Sequence, residues 1–183
     1  KERAPVGFGY VLKVPRLITH HKYLVAVEED IRQFCRSAAL LGDALEMFLL
    51  QVAPNTPYDL ERLQRALQAF PDPGKVAVEF RNACWYSGET ERLLRKLGVA
   101  FCNVDSPRQR LTGILTSERA YLRLHGRKHW YSYNYSAEEL AEIAGIAREL
   151  VRQGAKRLYA FFNNDFGGYA PANALALLRQ LDG

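Results

Sequence analysis

Paired cysteines, glycine-rich phosphate motifs and long apolar runs are all missing from this chain of 183 residues. The three cysteines are widely spaced and form no C-x-x-C pair, so the sequence predicts no disulfide framework and no structural zinc, haem or iron–sulfur site. We expect Cys35, Cys84 and Cys102 to be buried free thiols. No apolar run approaches the roughly 20 residues that span a bilayer, and the N-terminal stretch KERAPVGFGY lacks the features of a secretory signal. These absences predict a cytoplasmic protein with no membrane contact.

The composition is that of a folded globular protein. Hydrophobic residues make up 48% of the chain and charged residues 25%, which excludes disordered and fibrous classes. The net charge of +5 favours anionic partners in a general way. However, the basic residues are scattered through stretches such as ERLLRKLG and ARELVRQGAKR, which is more typical of solvated helix faces than of a nucleic-acid surface.

Short apolar runs rich in β-formers alternate with longer helical patterns along the whole chain. The predicted strands are 9–14, 47–53, 76–80, 99–104, 120–124 and 157–162. The predicted helices are 24–41, 60–70, 89–97, 137–153 and 171–181. Ser136 and Glu139 form a capping box that marks one helix start, whereas the segment between Asp105 and Arg119 is too short and too broken for a full helix.

This alternation predicts an α/β fold with a parallel sheet covered by helices, because parallel strands need crossover connections that are usually helical. No glycine-rich fingerprint follows a strand, which removes the strongest support for an open dinucleotide-binding sheet. A closed barrel better explains the polar residues that the strand ends carry. The chain is nevertheless shorter than the roughly 250 residues usual for a full eight-unit barrel.

Polar residues occur at or just past the end of every predicted strand. Within VAVEFRNACW, alternation places Glu79 and Arg81 on the face opposite Val76 and Val78. The same split recurs in AYLRLHGR and LYAFFNN. The remaining strand ends follow the pattern, and the polar residues concerned are Lys13, Arg16, Gln51, Asn55, Asn103, Asp105, Arg123, His125, Asn163 and Asn164. Barrel enzymes build their sites at these ends, so the pattern predicts a site there.

Structural explanations for the same residues stay open at this point. Glu79 and Arg81 are also compatible with a buried ion pair that only neutralises itself, although desolvation makes such pairs poor stabilisers. Asp105 is compatible with a turn former, and the asparagines with a local loop role. His20 and His21 are the weakest candidates, expected to face solvent or cap a helix. The aromatic residues fit either a rim for a sugar or base or ordinary loop packing: Trp85, Trp130, Tyr131, Tyr133 and Tyr135.

Taken in order, LKVPRLITH, VEFRNACW, NVD, YLRLHGR, YNYSAEEL and FFNNDFGGYAPANA resemble the YecE-like family, a bacterial and archaeal group known as domain of unknown function 72. The resemblance covers nearly the whole chain. It implies a TIM-type (β/α)8 barrel, and we therefore expect residues 1–183 to form a single, partial domain of this kind with about six strand–helix units. The family supplies a fold and a site, but no established reaction.

The chain departs from the family pattern in two respects. The opening strand with Gly-Trp and the second strand ending in an acidic residue and asparagine are missing, so we expect a fragment or a late start that lacks about two units. In addition, Asn82 and Asp165 stand where family members often carry histidine, which puts in doubt any chemistry that depends on those histidines.

The leading hypothesis is a hydrolytic or isomerising enzyme for a small polar or anionic substrate. Arg81 and Arg123 would bind a carboxylate or phosphate, and Lys13 and Arg16 are further candidates for substrate binding. The acid–base candidates are Glu79, Asp105 and His125, and Asn163 with Asn164 would orient the substrate. The sequence shows no redox-cofactor motif and no obvious serine or cysteine nucleophile, so the cofactor stays unknown.

Three alternatives remain. In one, a divalent metal is held by Glu79, Asp105 and His125, which the two nearby arginines disfavour. In another, the protein is a non-catalytic module that binds nucleic acid or an acidic partner through basic and tyrosine-rich segments: Arg108, Arg110, Arg127, Lys128 and residues 131–135. In the third, the charges are a structural network of a scaffold protein.

Overall fold

The computed structural model describes residues 4–5 and 7–182, and it shows an α/β fold with parallel strand pairs. The chain divides into two compact units, residues 1–100 and 101–183. Across the described ranges, no helix combines the length and apolar character needed to cross a membrane. The α/β fold that the sequence predicts is confirmed. A closed eight-stranded barrel and a single domain over the whole chain stay predictions.

In the first unit, three parallel strands alternate with three helices. The strands are β1 (Tyr10–Lys13), β2 (Leu45–Gln51) and β3 (Val76–Glu79), with β2 paired to both others. The helices are α1 (Glu28–Ala38), α2 (Leu60–Gln68) and α3 (Gly88–Leu97). β3 is buried at all four positions, as expected for a parallel strand covered on both faces.

Local capping explains where α2 and α3 begin and where α3 ends. The Asp59 carboxylate accepts a hydrogen bond from the Arg62 backbone N–H at 2.9 Å and starts α2. The Ser87 hydroxyl accepts from the Thr90 N–H at 3.2 Å and starts α3, which stops where Gly98 adopts a left-handed backbone with φ of 68°.

The prediction of one helix over residues 24–41 is wrong at both ends. Tyr23, Leu24 and Ala26 have positive φ, so a right-handed helix cannot run through them, and α1 begins only at Glu28. A π-helical turn, Leu17–His21, precedes this kink. After Ala38 the chain tightens into a 3-10 segment that bends at Gly42.

The second unit carries β4 (Ala100–Asp105), which starts one residue before it, together with β5 (Arg119–Leu124) and β6 (Arg157–Phe162). β5 pairs in parallel with both neighbours. The helices are α4 (Ala137–Arg152) and α5 (Tyr169–Asp182). The predicted capping box at Ser136 and Glu139 is confirmed, and no helix occupies the described residues 106–118 between β4 and β5.

The two faces of β5 and β6 differ as alternation predicts. Leu122 and Leu124 lie in a buried cluster with Ile143 and Leu150 of α4. On β6, Leu158, Ala160 and Phe162 pack against the same cluster. Tyr121 instead stacks on the rings of Tyr159 and Phe161, with centroids 6.1 and 5.2 Å away. Arg123 and His125 follow Tyr121 at two-residue spacing and so share its face, away from the helices.

The cysteine prediction needs one correction. All three thiols are free, and Cys35 and Cys102 are buried, but Cys84 is exposed. Cys84 lies in the single 3-10 turn Ala83–Trp85, where Trp85 takes the buried position and stacks on Phe80 at 5.1 Å. A three-residue turn buries one side chain here and leaves its neighbour in solvent.

Candidate functional site

Two cationic side chains lie at the end of β1 and just past it. Lys13 is the last residue of the strand, and Arg16 is the N-cap of the turn Leu17–His21. The Val14 N–H donates to the Leu49 carbonyl at 2.9 Å, which continues the pairing with β2 one residue beyond β1. Both cationic side chains are exposed, and Arg16 has no ion-pair partner within residues 4–5 and 7–182.

A buried ion pair ends β3. Glu79 is fully buried, and its Oε1 atom pairs with Nε of Arg81, whose side chain is 17% exposed. The Glu79 carbonyl also accepts the Val52 N–H at 2.9 Å, so the backbone that carries this carboxylate is fixed by β2. The strand end therefore presents a cation held in place by a buried anion.

His20 connects these two strand ends electrostatically. Burial lowers the pKa of the His20 imidazole, and the positive charges of Arg16, Lys13, His21 and Arg81 lower it further. Charged side chains at the ends of β1 and β3 and in the turn Leu17–His21 thus all lower the pKa of the His20 ring. The sequence analysis ranks His20 among its weakest candidates. The signal that it overlooks is the four-residue spacing from Arg16 to His20, which is one turn of a helix.

Asn82 has a local structural role next to this cluster. Its side-chain oxygen accepts from the Cys84 N–H at 3.0 Å, and its amide donates to the Pro54 carbonyl at 2.9 Å. The asparagine at the position where the family often has histidine therefore caps the turn Ala83–Trp85 and ties it to the loop after β2.

In the second unit, Asp105 is a buried carboxylate at the end of β4. Arg127 Nε donates to Asp105 Oδ2 at 2.9 Å, and Arg127 Nη1 donates to Glu142 Oε2 at 2.6 Å. Burial raises the pKa of Asp105 above its usual value, and it outweighs the lowering effect of the hydrogen bonds from Arg127 and Tyr135 and of the charge of Arg110. A carboxyl group of this kind suits acid–base chemistry.

Sequence reasoning missed the role of Arg127. The alternative hypothesis places this side chain among the nucleic-acid contacts, but it is only 8% exposed and is bound to two carboxylates. Arg110 is exposed, but its Nη1 donates to the Ser106 carbonyl at 2.8 Å and lies 4.0 Å from Asp105 Oδ1. No spacing pattern links Arg127 to Asp105, because the contact spans 22 residues.

His125 lies beside Asp105 across the β4–β5 pairing. The His125 N–H donates to the Asp105 carbonyl at 2.8 Å, and the imidazole is buried. Its ring centroid lies 5.5 Å from that of Trp130 and 5.6 Å from that of Tyr131. The Tyr131 N–H donates back to the His125 carbonyl at 2.8 Å and closes a tight loop. Two predicted acid–base residues are thus brought together.

The predicted substrate-binding residues on β5 and just after β6 lie in different environments. Arg123 is half-buried, and Asn163 continues the β5–β6 pairing by donating its N–H to Leu124 at 2.8 Å. Asn164 is fully buried, and its amide donates to the Tyr133 carbonyl and to Asn173 Oδ1, both at 2.7 Å. The Oδ1 atoms of Asn163 and Asn164 are buried and have no hydrogen-bond partner among the described residues.

The described residues contain no group of three or more histidine, cysteine, aspartate or glutamate side chains arranged to hold a metal ion. The roles predicted for Glu79, Asp105 and His125 in acid–base chemistry are independent of such an ion. Those roles, and the binding roles of Lys13, Arg16, Arg81, Arg123, Asn163 and Asn164, stay predictions.

Comparison with known proteins assigns the family. The chain belongs to the family described as protein of unknown function DUF72, which it matches over residues 1–183. It is 30% identical over 214 residues to the UPF0759 protein YunF of Bacillus subtilis (strain 168), covering 99% of this chain and 76% of that protein. The resemblance to the YecE-like family is therefore confirmed.

Solved structures of two relatives agree with this assignment. A DUF72 family protein from Thermotoga maritima MSB8 has a TM-score of 0.91 and 31% identity, covering all of this chain and 76% of that one. A DUF72 family protein from Enterococcus faecalis V583 has a TM-score of 0.83 and 26% identity, with 98% and 76% covered. None of these names states a reaction, ligand or partner.

Proposed function

We propose that this protein is an enzyme that binds a small anionic substrate through Lys13, Arg16 and Arg81 and acts on it by acid–base chemistry. The observation that carries the proposal is the pair of exposed cations at the end of β1, Lys13 and Arg16, whose positive charges and that of Arg81 all lower the pKa of His20. Neighbouring positive charges attract an anion. A hydrolytic or isomerising reaction of this kind needs no redox cofactor.

The two arginines suit a carboxylate or phosphate for different reasons. Arg16 is exposed and has no ion-pair partner within the described part of the chain, so it can contact a ligand without breaking a pair. Arg81 is held in place by Glu79, which reduces the conformational entropy that binding would otherwise cost. Guanidinium groups bind both kinds of anion in bidentate geometry.

The other predicted residues enter the proposal as acid–base and orienting groups. Glu79 is the buried carboxylate next to the anion-binding cations, and the raised pKa of Asp105 supports an acid–base role for that group. Within the second unit, His125 is proposed as an acid–base group and Arg123, Asn163 and Asn164 as substrate-binding groups. The fold that we propose for the complete protein is a TIM-type barrel, a class that builds sites at the carboxyl ends of its strands.

Calorimetric titration with inorganic phosphate tests the anion site. We expect Arg16→Gln and Lys13→Gln each to weaken phosphate binding roughly tenfold, the loss typical of one charge-assisted hydrogen bond. Arg36→Gln is the matched control, because Arg36 is an exposed arginine of α1 in the same unit, with its side chain 64% exposed, and it should leave binding unchanged. Equal losses in all three variants, or no phosphate binding by the parent protein, would contradict the proposal.

The same titration separates the enzyme from a nucleic-acid-binding module. A duplex RNA that still binds after Arg16→Gln and Lys13→Gln, but is lost after Arg108→Gln and Lys128→Gln, would support the module instead. Binding of that kind would also fall steeply with salt.

A further inference from the structure

We infer that His20 is a proton-transfer residue of the anion site and that Thr19 is the positioning residue that sets its tautomer. The inference rests on the proposed function, because it assigns a role inside the same cluster of cations. His20 is not among the acid–base residues that the sequence predicts. Two features support the assignment: the hydrogen bonds of Thr19 and the charges that surround the ring.

The hydrogen bond between Thr19 and His20 couples the tautomer of the ring to the orientation of the Thr19 hydroxyl. The Thr19 hydroxyl donates to the Pro15 carbonyl at 3.3 Å, and Thr19 Oγ1 lies 2.7 Å from His20 Nδ1. A hydroxyl has a single hydrogen, so when the Thr19 hydroxyl donates to Pro15 its oxygen accepts from Nδ1–H of His20. The tautomer that we infer is therefore the Nδ1-protonated ring, with a lone pair on Nε2.

The backbone around Thr19 holds this arrangement. Ile18 and Thr19 are both buried, and the Lys22 N–H donates to the Leu17 carbonyl at 2.9 Å. The Leu24 N–H adds a bond to the Ile18 carbonyl at 3.1 Å. A buried pair of residues thus anchors the turn directly before His20. Within the described residues, Nε2 of His20 makes no hydrogen bond, so it is available to a ligand.

The surrounding charges keep the ring neutral until an anion arrives. Burial and the charges of Arg16, Lys13, His21 and Arg81 all lower the pKa of His20 from 6.5, so Nε2 is a base at neutral pH. In the proposed step, an O–H bond of the substrate or of a water molecule breaks and an Nε2–H bond forms. The proton then goes to another substrate atom in an isomerisation or to the leaving group in a hydrolysis, which restores the neutral ring.

Anion binding and protonation of His20 must then favour each other. A bound dianion offsets the neighbouring cations and raises the pKa of His20, so binding takes up a proton. By linkage, the dianion binds more tightly as the pH falls below the usual histidine range. Inorganic sulfate is the suitable probe, because it stays a dianion between about pH 5 and 8, where only histidine side chains normally titrate.

The experiment combines nitrogen-15 NMR of the imidazoles with sulfate titrations at several pH values. In the parent protein we expect a neutral His20 ring that is protonated on Nδ1, and a pKa that rises when sulfate is added. Sulfate affinity should increase roughly fivefold or more as the pH is lowered. His20→Gln should still bind sulfate but without this pH dependence, whereas His21→Gln, its exposed neighbour, should behave like the parent.

Thr19 variants test the positioning role. Thr19→Val removes the hydroxyl and should shift the neutral ring towards protonation on Nε2, whereas Thr19→Ser retains the hydroxyl and should retain the tautomer. If the Val variant does not fold, the Ser variant and the parent spectrum still decide the tautomer.

The possible failures are distinguishable. Sulfate binding with an Nε2-protonated His20, or with a His20 pKa that sulfate does not move, would overturn this inference and leave the anion site standing. Absence of sulfate and phosphate binding would overturn the proposed function, and the inference with it.

Discussion

Arg127 determines the environment of the buried carboxylate of Asp105. Its guanidinium bridges Asp105 at the end of β4 and Glu142 on α4, and the side chain is almost fully buried. Removing one partner of a buried ion pair leaves the other charge without compensation, which costs far more than the pair itself contributes. The stability of this region therefore depends on a residue that strand-end patterns do not single out.

We predict that Arg127→Met lowers the free energy of unfolding by about 3–5 kcal/mol at neutral pH. The deficit should shrink as the pH falls, because burial raises the pKa of Asp105 and a protonated Asp105 needs no cation. Because the native pKa of Asp105 is raised, its protonated carboxyl group stabilises the fold at pH values below the unfolded pKa of 3.8. That contribution is lost as the pH rises through the native pKa of Asp105. Urea denaturation at several pH values measures both effects.

The matched control is Arg152→Met on α4. Arg152 pairs with Glu149 with its side chain 72% exposed, so its loss should cost no more than about 1 kcal/mol. A deficit for Arg127→Met that is no larger than the control, or that grows at low pH, would contradict the assignment of Asp105 as a buried partner.

At the scale of elements, the loop after β5 depends on a glycine. Gly126 has φ of 100°, and a Cβ atom there would lie 2.5 Å from the His129 carbonyl oxygen and 2.6 Å from Tyr133 Cβ. The same loop carries the bond from Tyr131 N–H to the His125 carbonyl. Its path beside the buried imidazole is therefore accessible only without a side chain at this position.

We predict that Gly126→Ala destabilises the protein by roughly 2 kcal/mol or more, because it combines backbone strain with a steric clash. Gly145→Ala is the matched control: Gly145 lies within α4, and a Cβ atom there meets nothing within 4 Å. That substitution should stabilise the protein by about 1 kcal/mol through helix propensity. Thermal unfolding of both variants gives the comparison, and shifts of the same sign would refute it.

Element boundaries show where local patterns suffice. The predicted strand 157–162 matches β6, and the capping box starts α4 where it should, because both signals lie within a few neighbouring residues. The helix predicted over residues 24–41 fails because positive φ at Tyr23, Leu24 and Ala26 is not encoded by glycine or asparagine. The packing of the turn imposes that backbone.

At the scale of the whole molecule, each compact unit holds one of the two tryptophans. Trp85 is buried in the first unit, and Trp130 lies in the second, next to His125. Each unit also has fully buried aliphatic side chains within a strand, such as Leu50 on β2 and Leu122 on β5. The fluorescence of each tryptophan can therefore report on the packing of its own unit.

We predict that Leu50→Ala in a Trp130→Phe background lowers the free energy of unfolding, measured by the fluorescence of Trp85, by about 2–5 kcal/mol. Leu122→Ala in a Trp85→Phe background should have the same effect on the signal of Trp130. Leu175→Ala is the control, since this side chain on α5 is 57% exposed and should change little. If a core substitution does not shift the unfolding transition reported by the tryptophan of its own unit, the packing described for that unit is contradicted.

The sequence by itself determined the α/β class, the family, the faces of the strands and the strand-end positions of four charged residues: Lys13, Arg16, Glu79 and Arg81. The family follows from the resemblance of its motifs, whereas the class, the faces and the strand ends follow from periodicity and spacing, which are properties of neighbouring residues. Only the tertiary structure decided that Arg127 pairs with Asp105 and that Arg81 acts on His20. Burial and charge interactions depend on distances in space, and no local pattern contains the distances between residues that are far apart in the chain.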